Sequence, residues 1–94
     1  MSRGEMTAEV SARAKELLGV DLTIRELRLM PYIQFILMNN KRVEPDRVTM
    51  EEERILYNWG LKGWISGTDE RISCTKEFWD ALNQILWLSY VDIP

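Results

Sequence analysis

The fold is decided by residues 49–91, which read TMEEERILYNWGLKGWISGTDERISCTKEFWDALNQILWLSYV. Thr49 and Glu52 have the spacing of a capping box, in which each side chain accepts a free backbone N–H of the other residue at the start of a helix. Gly60 and Gly63 interrupt the helical pattern at the end of this segment. This spacing predicts a helix from Met50 to about Leu61.

Two short runs with strand character follow this helix. Trp64-Ile65 and residues 71–74, Arg-Ile-Ser-Cys, flank the turn-forming residues 66–70. The pattern predicts a β-hairpin. Thr75 then stands where a helix cap is expected, ahead of an apolar period that predicts a final helix over residues 76–91.

Upstream of residue 49, apolar spacing predicts further helices. A helix is expected over residues 7–18, and Thr23 begins another with a second capping box. Pro31 lacks the backbone donor that a helix interior needs. We therefore predict a short helix that ends at Met30 and a separate one from Pro31 to Asn40.

The remaining segments are expected to connect or flank the helices and strands. Residues 41–48 contain Pro45 and no apolar period, which is typical of a loop, and residues 1–6 are expected to be flexible. With 94 residues and 46% hydrophobic content, the chain suits a single domain over residues 1–94. The predicted fold class is mainly α with one small β-hairpin, in a compact helical domain of four or five helices.

Composition excludes much chemistry. The chain has no histidine, which removes the usual general base and the commonest metal ligand, and it has one cysteine, Cys74. We expect no enzymatic activity, no cofactor and no metal. A lone thiol suits a reducing compartment, and no apolar run approaches the about 20 residues that span a bilayer. These features predict a cytoplasmic protein without a membrane segment.

Three other features could bind or react, and each has a simpler structural explanation. Cys74 could be a reactive thiol, but it precedes a helix cap, where a buried apolar role is typical. Residues 51–53 are three glutamates that could bind a cation, although acidic residues also favour a helix start. Asp69 and Glu70 could bind calcium with Thr68, but the full ligand pattern is missing.

Trp87 is the least expected residue of the final helix. Three other tryptophans, Trp59, Trp64 and Trp79, fit a small core. Projected at about 100° per residue, Trp87 instead shares a face with polar side chains. Either it packs under the first helix or the C-terminal tail, or it contacts a partner, as tryptophans at interfaces do. The interaction hypothesis places the following residues at a protein partner surface: Trp87, Val91, Asp80, Asn83 and Gln84, with Tyr57 as a further candidate.

The order of helix, hairpin and helix from residue 50 onward resembles the C-terminal part of winged-helix regulators of the MarR type. The residues that carry the resemblance are Gly63-Trp64-Ile65, Asp69 and Arg71, then Ile72 and Cys74-Thr75. The resemblance implies a loosely winged-helix-like fold, with residues 50–61 as recognition helix and the hairpin as wing. It implies nucleic-acid contacts from Arg54, Tyr57, Asn58 and Arg71.

Charge bears on the choice between these functions. Residues 49–94 hold four basic and eight acidic side chains, and the glutamates at 51–53 stand where a recognition helix would approach phosphates. These charges disfavour nucleic-acid binding, although the basic residues between 25 and 47 could form a positively charged patch. The leading hypothesis is a small cytoplasmic protein-interaction module that self-associates as a homodimer. A winged-helix-like DNA-binding transcriptional regulator is the alternative, and an inhibitor that presents its acidic half to a basic surface is a third.

Overall fold

Four α-helices and a two-stranded antiparallel hairpin make up the residues that the structure, a computed structural model, describes, namely 4–68 and 71–91. Their order is α1 Ala8–Leu18, α2 Ile24–Asn39, a 3-10 turn Pro45–Arg47, α3 Met50–Leu61, β1 Ile65–Thr68, β2 Arg71–Cys74, α4 Lys76–Leu86 and a π-helical turn Trp87–Val91. This confirms the predicted fold class, mainly α with one small hairpin.

Threonine caps set where each helix begins. Thr7, Thr23, Thr49 and Thr75 each accept a backbone N–H from the residue three positions on. At Thr23 and Thr49 the glutamate three residues later also bonds back to the cap, so both predicted capping boxes are confirmed. Each such cap contributes about 1 kcal/mol to stability. The helix starts were predictable because these interactions are local.

The predicted break at Pro31 is wrong. Pro31 lies inside α2, which runs without interruption from Ile24 to Asn39. A proline removes one backbone hydrogen bond, but residues on both sides of it are buried in the core: Leu27, Leu29, Met30, Ile33 and Ile36. Burial along one face holds the two halves in line, so tertiary packing overrides the local preference.

The hairpin is confirmed, with different strand bounds. β1 extends to Thr68, and the register pairs Ser66 with Ser73 and Gly67 with Ile72. The expected turn residues 66–68 therefore belong to the strand, because Gly67 adopts a φ of 142° that only glycine readily accepts. The tip, with the calcium candidates at 69 and 70, lies outside the described residues.

The last helix changes its winding before it ends. The predicted helix to residue 91 is α-helical only to Leu86 and continues as a π-helical turn. Within this turn the hydroxyl of Ser89 donates to the carbonyl of Ile85 at 2.8 Å, and Ser89 is buried. A side chain that bonds the preceding turn in this way commonly perturbs a helix.

Aromatic rings join the helices to the hairpin in the core. Trp59 is fully buried, 5.2 Å from the ring centre of Phe78 and 6.5 Å from that of Trp64. Trp64 and Trp79 are half-buried against this core, as predicted. The radius of gyration is 12.7 Å, close to the about 12.4 Å expected of one globule of this length.

The N-terminal segment meets the π-helical turn. The backbone N–H of Gly4 donates to the carbonyl of Ser89 at 2.7 Å, and Met6 packs against the core. Residues 1–3 are outside the described ranges, so the flexibility expected of residues 1–6 stays a prediction.

Candidate protein-interaction surface

Helices α2 and α4 run side by side in opposite directions. Near the middle of the pair, Nε2 of Gln34 donates to Oδ1 of Asn83 at 2.7 Å. Toward the start of α2, Arg28 lies near Tyr90: burial raises the pKa of Tyr90, and the Arg28 guanidinium opposes that rise. Pro31, which precedes Gln34 in α2, lines one recess with Tyr90, which follows Asn83 in the chain, so the two helices are antiparallel.

Trp87 and Val91 lie exposed at the end of this pair. Trp87 is 57% exposed and Val91 59% exposed. The cause is the amphipathic pattern of α4, whose apolar side is turned into the core: Phe78, Ala81, Leu82, Ile85 and Leu86 are buried. Trp87 follows on the opposite side, and its ring is not buried under α1. The C-terminal tail, the other covering suggested for it, lies outside the described residues.

Helix α2 adds apolar residues to the same surface. Phe35 and Met38 follow Pro31 by four and seven residues, which places all three on one side of the helix. Phe35 is 48% exposed and Met38 is 68% exposed. Pro31 lines a recess together with Trp87 and Val91, which connects the two helices. We call this surface, formed by Pro31, Phe35, Met38, Trp87 and Val91, the Trp87 face.

Sequence reasoning missed the α2 half of the Trp87 face. The spacing of Pro31, Phe35 and Met38 places them on one side of the helix predicted over residues 31–40, so the stripe itself was visible in the sequence. What the sequence does not show is that α2 packs beside the end of α4, where Pro31 lines a recess with Trp87.

The polar residues predicted around Trp87 have different environments. The amide of Asn83 is used inside the protein, since Nδ2 donates to the Trp79 carbonyl at 2.8 Å while Oδ1 accepts from Gln34. Asn83 therefore positions α4 against α2. Gln84 and Asp80 are exposed and free to face solvent or a partner.

Two shallow recesses border the ring of Trp87. One, of about 390 Å³, lies between Trp87, Pro31 and Tyr90. The other, of about 300 Å³, lies on the α1 side, between Trp87, Arg13 and Leu88. A projecting ring between two recesses offers a partner both a side chain to enclose and places to insert its own.

Tyr57 does not join the Trp87 face. It lies on α3, is 62% exposed, and lines a separate groove between α3 and the hairpin. The partner-surface candidates from the sequence thus divide between two places on the molecule.

The candidate nucleic-acid residues are exposed but dispersed. Arg54 and Arg71 are exposed, and neither forms an ion pair within residues 4–68 and 71–91. Asn58 and Tyr57, by contrast, line recesses on different sides of α3.

The acidic start of α3 is partly accounted for within the fold. Glu51 pairs with Arg25 at 3.1 Å, and Glu52 completes the capping box. The basic residues between 25 and 47 do not form one patch, because Arg25 and Lys41 lie at opposite ends of the 16-residue helix α2, about 24 Å apart.

Cys74 is half-buried against the core, and burial raises the pKa of its thiol. A thiol with a raised pKa is less ionised near neutral pH and is a poorer nucleophile. This agrees with a packing role for Cys74.

Within the described ranges, no three or more Cys, Asp or Glu side chains come together as a metal ligand set. None of the helices described is both long enough and apolar enough to cross a membrane. Comparison of the chain with protein-family models, curated proteins and solved structures found no match.

Proposed function

We propose that this protein is a small non-enzymatic interaction module of the cytoplasm that forms a homodimer through the Trp87 face. The observation that carries the proposal is a set of exposed apolar side chains on α2 and on the end of α4, connected by the recess that Pro31, Trp87 and Val91 line. Large aromatic and methionine side chains are enriched in protein interfaces, where removal from water stabilises the complex. The ammonium of Lys41 lies 5.6 Å from the centre of the Phe35 ring, so a basic side chain borders the face at that end.

A second copy of the chain is the partner that this geometry favours. An isologous contact requires a surface that complements itself when rotated by a two-fold axis. On the Trp87 face, the end near Tyr90 carries Arg28, while Asp80 lies one turn before Asn83 toward the other end. That other end also carries the ammonium of Lys41, 5.6 Å from the centre of the Phe35 ring. The case for a second copy therefore rests on the apolar members of the face, which a two-fold axis would bring together.

The size of the molecule allows such an interface. A standard interface takes about 800 Å² from each partner. The accessible surface of one copy is 6165 Å², so a dimer of this kind would cover about an eighth of it. Burying the central apolar side chains would supply most of the binding free energy, as anchors at the centre of an interface do.

Replacing Trp87 by glutamate should abolish the dimer. A carboxylate in the contact would lose the apolar area and bury an unpaired charge, which raises the dissociation constant by about 100-fold or more. We expect the solution mass measured by light scattering to fall from twice 11.1 kDa to 11.1 kDa. The matched control is Tyr57→Glu, which changes an equally exposed aromatic residue outside the face and should leave the dimer intact.

Two results would contradict this proposal. One is a wild-type chain that stays monomeric at every concentration up to about 1 mM, beyond which contacts are too weak to count as specific. The other is a Trp87→Glu variant that is folded by circular dichroism and retains the dimer mass.

DNA binding is a second candidate function, supported by the exposed side chains of Arg54 and Arg71, neither of which forms an ion pair with another residue of 4–68 and 71–91. The net charge of −3 and the glutamates of α3 act against it. We expect the fluorescence anisotropy of a labelled duplex to stay unchanged at about 20 mM salt, where even non-specific binders respond. Binding that weakens with added salt and is lost in an Arg54→Ala, Arg71→Ala double variant would favour this second function instead.

A further inference from the structure

An open apolar groove lies on a different part of the molecule from the Trp87 face. It has a volume of about 510 Å³ and is bounded by the loop before α3, by α3 itself and by the hairpin. We call it the hairpin groove. Side chains that line it include Val48, Leu56, Tyr57, Leu61 and Ile72. The volume falls within the range of natural binding sites, about 300–1,000 Å³.

Part of the groove wall is hairpin backbone without a side chain. Gly67 pairs with Ile72 across the hairpin, and both residues line the groove, where Ile72 is the large side chain of the pair. Leu61 is 71% exposed at the rim. Neither the loop nor α3 fills the space, which leaves an apolar surface next to a strand.

The outer edge of β1 is available for main-chain pairing. The N–H of Thr75 donates to the carbonyl of Trp64, and hydrogen-bonded pairs alternate with non-bonded pairs along an antiparallel ladder. Ile65 and Gly67 therefore direct their backbone groups away from β2. The Ile65 carbonyl faces Gly60 of α3, whereas no backbone hydrogen bond reaches Gly67 from outside the hairpin within the described ranges.

Glu53 supplies the only charge among the described residues that line the groove. It lies exposed on α3, and none of the ion pairs formed within residues 4–68 and 71–91 includes it. Its carboxylate can therefore accept a cation from outside the chain. The surrounding half of the sequence is acidic as well, with eight acidic and four basic residues over 49–94.

We propose that the hairpin groove binds an extended peptide segment of a partner protein that carries apolar residues and a lysine or arginine. The segment adds to the edge of β1 at Gly67, inserts an apolar side chain beside Ile72 and Tyr57, and pairs its cation with Glu53. Strand addition of this kind takes affinity from main-chain hydrogen bonds and specificity from side-chain pockets. An extended chain uses the strand edge, the apolar groove and the carboxylate together, whereas a small apolar molecule or a docked helix leaves the edge unused.

Selection from a library of random displayed dodecapeptides on the immobilised full-length chain tests this proposal. We expect enriched sequences that contain alternating apolar residues and at least one lysine or arginine. Synthetic copies of the enriched peptides should shift the amide signals of residues 65–67 in an NMR titration. N-methylation of the peptide amide that faces Gly67 should abolish those shifts, because it removes the donor.

Charge reversal at the groove provides the variant. Glu53→Arg should weaken the selected peptides about tenfold, since it replaces an attraction by a repulsion at an exposed site. Glu9→Arg, on the first turn of α1, is the matched control: it makes the same charge change away from the groove and should leave affinity unchanged. The folding of both variants is checked by circular dichroism.

Three outcomes would overturn the proposal: no enriched sequence, enriched sequences without basic residues, or peptides that bind equally to wild type and Glu53→Arg. Peptides whose shifts map to Trp87 instead would assign binding to the other face. The dimer mass of Glu53→Arg separates this test from the proposed function, because self-association through the Trp87 face does not involve the groove.

Discussion

The Trp59→Ala variant is expected to lose about 4 kcal/mol of unfolding free energy, the typical cost of removing a fully buried tryptophan side chain. Trp59 is 0% exposed and contacts both Trp64 and Phe78, so its removal leaves a cavity where α3, the hairpin and α4 meet. Domains of this size are stable by only about 5–15 kcal/mol. The variant should therefore be largely unfolded at moderate urea concentrations.

Trp59→Phe separates the packing of this ring from its hydrogen bond. The indole Nε1–H donates to Oε2 of Glu26 at 3.0 Å, while Oε1 of the same carboxylate accepts the N–H of Thr23. Phenylalanine keeps most of the buried area but loses this link between the start of α2 and the end of α3. We expect a loss of about 1.5–3 kcal/mol of unfolding free energy, the range for a hydrogen bond to a charged group.

Urea denaturation followed by circular dichroism measures both effects. All variants are compared at one protein concentration, because a dimer makes apparent stability depend on concentration. A Trp59→Ala variant that loses less than about 1 kcal/mol would contradict the central place of this ring in the core.

Gly67→Ala is the second change with a large expected effect, about 3 kcal/mol or more. Gly67 has a φ of 142°, where an L-residue costs about 1–3 kcal/mol. A Cβ at this position would also collide with the carbonyl of Arg71 and lie 2.9 Å from the Cα of Ile72. The two strands would have to separate, and the hairpin would lose its register.

Gly63→Ala is the matched control for this effect. Gly63 has a φ of 78°, but a Cβ there meets nothing within 4 Å. Alanine at this position should lower the unfolding free energy by only about 1–2 kcal/mol, the cost of the left-handed conformation. Equal losses of unfolding free energy in the two variants would show that the close approach of Arg71 to Gly67 does not determine the hairpin.

Local features of the fold were predictable from sequence and long-range ones were not. The four threonine caps involve residues three positions apart, so their patterns predict the helix starts directly. The break at Pro31 was wrong because the burial of Met30 and Ile33 depends on contacts with other elements. The extension of β1 to Thr68 was missed because a glycine is typical of turns. In the folded chain Gly67 instead lies within the strand, with a positive φ that glycine accepts.

The candidate surface was predictable in part for the same reason. Trp87 and Val91 could be assigned from the periodicity of their own helix. Phe35 and Met38 could not, since the surface that they share depends on how α2 packs against α4. Tyr57 was a candidate for an interface, but only the folded chain separates it from the Trp87 face and places it in the hairpin groove.

The most direct test of self-association through the Trp87 face is an isotope-filtered NOE experiment on an equal mixture of labelled and unlabelled chain. It detects contacts only between different copies. The account predicts intermolecular NOEs from the indole ring of Trp87 and the methyl group of Met38. Intermolecular NOEs that come only from other surfaces, or none in a sample whose mass is that of a dimer, would contradict it.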